Sequence, residues 1–373
     1  MQGEYTLGKF SILHFQFSIL PRSFLFKKKS VLSKKILVTG GTGFLGSYLL
    51  RHLVQRGHNN IFAIRRKNSR MDLVKEVENK IQWVECDVLD VVGLEKVMEG
   101  VHQVYHCAAM VSFGGKKDRK KMHQVNVEGT ANVVNLALES KIEKMVYVSS
   151  IAALGRRKKL KSINEKTKWE RSEFNSEYAV SKYLAEQEVW RGVAEGLNVN
   201  IVNPAIILGA GFWNEGAAAF FSKMWKGNKF YGQGGSGFVD VRDVSRLMIM
   251  MMETEVHGER FIANGENWSY RKLFEVIADH LNKKRPTIGL TPMLGAFAWR
   301  AEWLRSRLLG RTPVVTKETV ANSFRTWRYD NQKSIDTFHI EYTPIEQTIH
   351  ETSQLFLESI QNGMNPLYLS VNQ

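Results

Sequence analysis

Tyr178 and Lys182 stand four residues apart in Tyr178-Ala179-Val180-Ser181-Lys182, which on a helix is one turn along one face. A free tyrosine gives up its proton only near pH ~10, too high for efficient exchange at neutrality. A neighbouring ammonium stabilises the phenolate and draws that value down, the tuning that a general acid/base requires. Ser150 closes the strand-like run Val148-Ser149-Ser150 and could hold a substrate oxygen near the phenol. Tyrosine and lysine at this spacing form an ordinary surface pair in most proteins. A second motif upstream is what raises the specificity here.

Gly40-Gly41-Thr42-Gly43-Phe44-Leu45-Gly46 follows the apolar run Ile36-Leu37-Val38-Thr39 and opens a helical pattern. Glycine in such a turn allows a tight reversal, lets a phosphate approach bare backbone and packs helix closely on strand. The helix start adds free N–H groups and a positive dipole end. The arrangement predicts a dinucleotide site over Gly40, Thr42, Gly43, Phe44, Leu45 and Gly46. No Lys-Ser/Thr pair follows the last glycine, which disfavours a nucleoside-triphosphate loop. An acidic residue about 20 positions further on would accept from the ribose 2′-hydroxyl of NAD. Arg65-Arg66-Lys67 stands near there instead, with no carboxylate before Asp72. Arginine grips a 2′-phosphate through paired charge-assisted hydrogen bonds, so NADP is expected, held by Arg65, with NAD as the alternative. Asp87, followed by Val88, either meets the adenine edge or caps the next helix.

Short strands alternate with helices to carry these residues. Strands are expected at 34–39, 61–64, 81–84, 104–107, 145–148 and 199–202. A helical stripe of Phe44, Leu45, Tyr48, Leu49 and Leu53 ends at Gly57. Further helices are expected around 71–77, 94–98, 120–140 and 178–190. Such alternation implies right-handed crossovers and an α/β, doubly wound parallel sheet of the Rossmann type, covered on both faces. Beyond residue 205 the pattern loosens into aromatic-rich segments, with a strand near Phe261 and helices near 270–282 and 293–308. The expected division is an appendage over 1–33, a nucleotide-binding domain over 34–250, and a tail over 361–373. Segments 205–235 and 251–360 are expected to form a smaller, mostly helical substrate-binding lobe over the sheet's carboxyl edge.

The chain resembles the extended short-chain dehydrogenase/reductases, within the NAD-dependent epimerase/dehydratase group. The resemblance rests on Thr39 to Gly46; Asp87; His106-Cys107-Ala108-Ala109; Asn126-Val127-Glu128-Gly129-Thr130; Val148-Ser149-Ser150; Tyr178 with Lys182; and Val239 to Val244. It covers residues 34 to about 250 in family order; the C-terminal third is similar only in general character. It implies that Tyr178 donates or accepts the proton. It implies too that Lys182 lowers the Tyr178 pKa and holds the nicotinamide ribose, and that Ser150 orients the substrate oxygen. Asn126 is implied to position the helix and a water. Ala108 and Ala109 are implied to lie along the cofactor ribose, with Ser149, Val88 and Pro204 as further cofactor contacts. Ser149 is the weaker candidate for the catalytic hydroxyl, because five residues usually separate that group from the glycine matching Gly155. Many relatives carry Arg where this chain has Asn203, a departure expected to touch second-lobe packing or substrate contacts and not the catalytic set.

The expected reaction is NADP(H)-dependent interconversion of a ketone or aldehyde and an alcohol, as in dihydroflavonol reductase-like and hydroxysteroid dehydrogenase-like members. Phe212, Trp213, Trp225, Phe230 and Tyr231 would suit an apolar substrate or form ordinary core. A nucleotide-sugar epimerase or dehydratase with bound NAD is the alternative; Ile151 and Ala152, where a dehydratase wants an acidic pair, argue against the latter. A non-catalytic NADP-sensing protein on the same fold is the third reading. A homodimer through the helices near 120–140 and 178–190 is a family expectation.

Composition sets the frame. With 373 residues, 43% hydrophobic and 24% charged, the chain is globular and not disordered or collagenous. Two cysteines, Cys86 and Cys107, exclude a disulfide framework, so a reducing, cytoplasmic setting is expected. The ten histidines show no metal spacing, and no metal is expected. The formal charge of +15 invites polyanion readings. No recognition module accompanies the charge, so nucleic acid is not expected as a partner. Residues 10–29 mix Phe, Leu and Ile with polar residues before Lys27-Lys28-Lys29; they are read as an appendage, with contact at a membrane surface as the alternative. The remaining basic runs, 65–67, 116–121 and 156–161, follow the second, fourth and fifth strands. They are expected to form a positive rim around the cofactor mouth, suited to NADPH and to an anionic substrate such as an acyl thioester of coenzyme A. A merely solvated basic surface is the alternative.

Overall fold

The structure is a computed structural model that describes residues 34–112, 116–156, 162–172, 174–308, 320–321 and 323–371. The sheet strands are short and apolar, as a two-sided burial requires. β1 (Ile36–Thr39), β2 (Ile61–Arg65), β3 (Gln82–Glu85), β4 (Gln103–His106), β5 (Lys144–Val148) and β6 (Val199–Pro204) pair in parallel, in the order β3-β2-β1-β4-β5-β6. β7 (Ile206–Leu208), β8 (Phe230–Tyr231) and β9 (Gly235–Asp240) lie outside it. β10 (Glu259–Ala263) adds a seventh strand, parallel to β6. The strand near Phe261 thus completes the nucleotide-binding sheet, and the boundary expected at residue 250 falls short of it. The β-branched and aromatic run Arg260-Phe261-Ile262 finds a half-open partner in β6, which would otherwise be an unpaired edge.

Successive residues alternate between two cores. Ile36, Val38, Tyr105, Val146 and Val202 face one; Leu37, Val104, Met145, Tyr147 and Ile201 face the other. The first core is closed by α1 (Phe44–Gln55), where Tyr48, Leu49 and Leu53 are fully buried as the stripe requires. The second is closed by α2 (Val91–Met98), with α3 (Lys116–His123) lying beside it, and by α4 (Gly129–Glu139) and α5 (Glu177–Ala194). α3 and α4 are one expected helix interrupted by a π-turn over Gln124–Glu128. The helix expected around 71–77 is reduced to short 3₁₀ turns at Asp72–Val74 and Glu78–Lys80. The buried set there, Leu73, Val74 and Val77, is too small for a full amphipathic face.

The C-terminal region contains α6 (Ala219–Trp225), α7 (Val241–Glu253), β11 (Glu266–Ser269), α8 (Tyr270–His280), β12 (Ile288–Gly289), α9 (Pro292–Leu308), α10 (Gln332–Phe338) and α11 (Ile345–Gln361). Of these, α7 packs beside α1 on the first core, against β5 and β6. β11-β9-β7 form a three-stranded sheet, and β12 pairs with β8. Asp240 caps α7 by accepting from the Arg242 amide, and it also accepts from Thr348 Oγ1, tying α11 to the sheet. Trp213 is buried edge-on against Phe221 and Phe356, and Trp225 meets Phe356. Those two indoles, expected as either substrate wall or core, pack in the core; Phe230 is exposed. No helix among the described residues is long and apolar enough to cross a membrane. The N-terminal appendage and residues 157–161 of the third basic run lie outside the described residues.

Candidate active site

The strand order reverses between β1 and β4, and the glycine turn sits at that crevice. Gly40 has φ 69°, and a Cβ there would lie 2.6 Å from the Ala108 amide nitrogen. Only glycine lets the two strand ends approach so closely. Gly43 is exposed, and a Cβ there would meet only the Gly40 carbonyl oxygen, tightly, at 3.2 Å. It begins α1 without a side-chain cap, and no acidic residue follows in the first turn. The N–H groups at the start of α1, from Phe44, Leu45 and Gly46, are therefore not spent on a carboxylate. The Phe44 ring packs edge-on against Tyr48 and lies against Gly211, so its backbone is what borders the turn. Thr42 is half-buried, while Ala108 and the exposed Ala109 line the opposite side.

Arg65 ends β2, half-buried, and its guanidinium has no hydrogen-bond or ion-pair partner among the described residues. Asp87 follows β3 and accepts from the Leu89 amide at 3.1 Å. Helix capping, one of its two expected roles, falls to Asp90, which accepts from the Gly93 amide at 3.0 Å. The Val88 side chain is buried against Gly129 and its carbonyl accepts from Asn132, which commits both to helix packing. Pro204 is buried at the end of β6.

Ser176 caps α5 by accepting from the Ala179 amide at 3.1 Å, which puts Tyr178 in the first turn and Lys182 one turn on. Ser150 ends β5 in an extended conformation, and its Oγ accepts from the Ala152 amide at 3.1 Å. The same hydroxyl hydrogen-bonds the Tyr178 phenol. Burial raises the Tyr178 pKa, and the Ser150 hydrogen bond opposes that rise. Lys182 Nζ donates to Tyr147 Oη and to the Val148 carbonyl, each at 2.8 Å. The expected lowering of the Tyr178 pKa by Lys182 is therefore not what opposes burial in this arrangement; Ser150 does that. Burial lowers the Lys182 pKa to about 7, with Glu186 and Cys107 pulling the other way. One of the three ammonium hydrogens remains for the crevice.

Asn126 sits in the π-turn, fully buried. Its Oδ1 accepts from the Met110 amide at 2.7 Å, and its amide donates to the Met110 carbonyl and to Ser181 Oγ. It thus joins the loop after β4 to the Tyr178 helix. A residue that sequence reasoning missed lies behind Ser150. The buried Glu186 carboxylate accepts from Ser149 Oγ, Asn203 Nδ2, Trp190 Nε1 and Arg260. Ser149 therefore turns its hydroxyl inward. Asn203 donates as well to the Ser150 carbonyl at 3.0 Å. The departure at 203 bears on the support of the catalytic strand, contrary to the expected role in lobe packing or substrate contacts. The signal was available: Glu186 falls on the buried stripe Ala179, Lys182, Ala185, Val189, where a carboxylate needs a partner.

The model of the NAD dependent epimerase/dehydratase family matches residues 36–263. The chain belongs to that family. It is an NAD(P)-dependent oxidoreductase-type enzyme of the extended short-chain dehydrogenase/reductases, a family that binds nicotinamide cofactors. It is 30% identical to a putative dihydroflavonol 4-reductase of Synechocystis over 332 residues, 86% of this chain and 93% of that one. It is 23% identical to cinnamoyl-CoA reductase 1 of Petunia hybrida over 340 residues, 87% and 92% of the two chains. In fold it is similar to DesIV, a dTDP-glucose 4,6-dehydratase of Streptomyces venezuelae solved with NAD bound. That likeness has a TM-score of 0.72 at 18% identity and covers 87% and 98% of the two chains.

Proposed function

We propose that the protein reduces a ketone or aldehyde with NADPH, reversibly, through Ser150, Tyr178 and Lys182. The observation that carries this reading is the Ser150–Tyr178 hydrogen bond at the carboxyl edge of the sheet, beside an uncapped helix start. The turn fits a dinucleotide, since Gly43 is exposed and carries no side chain between solvent and the uncapped start of α1. Arg65, without a partner, fits a 2′-phosphate. NADPH, when bound, supplies the hydride.

The residues of the chain do the rest. The start of α1 binds the pyrophosphate. The remaining N–H of Lys182 holds the nicotinamide ribose. Ser150 and Tyr178 together hold the substrate oxygen, and Tyr178 Oη delivers its proton there as that oxygen gains charge. The relatives named as reductases support a carbonyl substrate, and the one that takes a coenzyme A thioester favours one with an anionic handle. Ile151 and Ala152, both buried, leave no acidic pair next to Ser150 and speak against dehydration.

Calorimetric titration with NADPH and with NADH, on wild type and on Arg65→Ala, tests the cofactor. NADPH should bind at least about tenfold more tightly, a difference of about 1.4 kcal/mol that Arg65→Ala removes. Equal binding of NADH with no effect of Arg65→Ala overturns the assignment. NAD retained through purification would instead mark the epimerase route. Tyr178→Phe should keep NADPH affinity and lose turnover of any reducible carbonyl; near-normal turnover overturns the acid/base role.

A further inference from the structure

Behind Lys182 lies a chain of buried polar groups whose hydrogen-bond directions the geometry fixes. Lys182 is an ammonium donor, so Tyr147 Oη accepts from it at 2.8 Å. Thr130 is the side-chain neighbour of that phenol, and its contact opposes the rise that burial imposes on the phenol pKa. Thr130 Oγ1 donates its single hydrogen to the Asn126 carbonyl at 2.6 Å and so can only accept from its other neighbours. His106 Nε2, at 3.1 Å from Thr130 Oγ1, therefore carries a hydrogen and donates it. His106 Nδ1 is then the acceptor for the Thr39 hydroxyl at 2.6 Å, and Thr39 Oγ1 accepts from the Ala108 amide at 3.2 Å. Every hydroxyl and ring nitrogen in the series is satisfied, and Thr39, His106, Thr130, Tyr147 and Lys182 are all 1% exposed or less. The His106 and Tyr147 rings stack at 5.5 Å, which holds the phenol in plane.

We infer that Tyr147 is a positioning residue for Lys182, fixed by Thr130 and His106, and that it sets both the direction and the protonation of the lysine. The inference rests on the reading of Lys182 as a working residue of the site. The Tyr147 phenol oxygen accepts from Lys182 at 2.8 Å and so presents a lone pair to it. That environment accepts an ammonium and gives nothing to a neutral amine. The Val148 carbonyl is the same kind of acceptor. The two together use the rear hydrogens of Lys182 and leave the third directed away from the β5 backbone.

The charged and titratable groups around Lys182 come from each packed element. Glu186 lies one turn along α5 and favours the charged lysine, while Cys107, just after β4, is kept a neutral thiol by burial. His106 is held neutral by burial and by Lys182 itself, with its pKa pulled down to about 3. Tyr147 stays a neutral phenol, because burial raises its pKa well above the ordinary value. The remaining phenol of the cluster, Tyr178, is likewise held protonated by burial.

The test follows the Lys182 ammonium by NMR in protein labelled at the lysine Cε, without cofactor, with Lys182→Arg identifying the resonance. Tyr147→Phe keeps the ring stack and removes the acceptor. Its Lys182 midpoint should fall by about one pH unit, a tenfold larger dissociation constant. In NADPH titrations Tyr147→Phe should weaken binding at pH 8 and recover progressively below pH 6, as the lysine regains its charge. An unchanged midpoint in a Tyr147→Phe protein that melts like wild type overturns the inference. The midpoint is read without NADPH, so failure of NADPH to bind would count against the oxidoreductase reading and not against this one.

Discussion

The Ser149 hydroxyl donates to the Glu186 carboxylate at 2.5 Å, on the opposite face of β5's end from the hydroxyl that Ser150 turns to Tyr178. Glu186 also holds Arg260 at 3.0 Å and Asn203 at 2.8 Å. Removing it leaves the partly buried Arg260 without its counter-charge and the buried Ser149 and Asn203 donors without their acceptor. Glu186→Ala should therefore destabilise the fold by about 3–5 kcal/mol in urea unfolding. The Glu186→Leu/Arg260→Met pair, which removes both charges, should recover most of that loss. A double variant no more stable than Glu186→Ala would show that the charge pairing is not the source.

Acid should weaken the fold through histidines. Burial lowers His106 to about 3 and His52 to about 4, so both are neutral in the native protein. The unfolded chain takes up these protons near pH ~6.5. Stability is thus full above that value and falls as pH drops through the interval toward the native values. His52→Asn should lose less stability than wild type between pH 6.5 and 4, measured as urea midpoints. A gap between the two proteins that stays constant with pH would exclude His52 as a contributor.

Two glycines of one turn should fail differently. Gly40→Ala must fit a Cβ 2.6 Å from backbone at positive φ, and should cost more than about 1 kcal/mol of stability. Gly43→Ala meets only the Gly40 oxygen at 3.2 Å, at a φ that is not positive, and should unfold within about 1 kcal/mol of wild type while losing NADPH affinity. Normal NADPH binding by Gly43→Ala would remove the open side of the turn as the phosphate site.

Charge around the mouth should act at a distance. Arg66 and Lys67 follow β2, and Lys117, Lys120 and Lys121 lie on α3, beyond the end of β4. Neutralising these five should slow NADPH association at low ionic strength, with the difference fading as salt rises toward about 0.5 M. Stopped-flow rates that differ equally at all salt concentrations would point to direct contact instead of steering.

The sheet, its parallel sense and the glycine turn were legible because each rests on a local rule. Apolar strands, helical stripes and glycines at a strand end need no distant partner to be read. The residues behind the site were not legible, because their meaning depends on what the fold brings to them. Tyr147 reads as one more aromatic in a strand until Lys182 meets it from α5. Asn203 reads as a lobe contact until β6 sets it beside Ser150 and Glu186. Asp87 and Asp90 are equivalent caps on paper, and only the backbone path past β3 selects Asp90.

The π-turn that holds Asn126 contains one residue more than an α-helix needs over the same rise. α3 and α4 are therefore out of phase by about 100°, the rotation of a single residue. A helical wheel drawn across both halves blurs their faces, which is why the segment read as one plain helix. Asn126 reaches Met110 and Ser181 because of that phase slip. Deleting Gln124 should give a more regular helix and a poorer enzyme, with Asn126 swung away from both partners. At this position the function is written in the length of the chain, and a change of spelling elsewhere in the turn matters less than the loss of a letter.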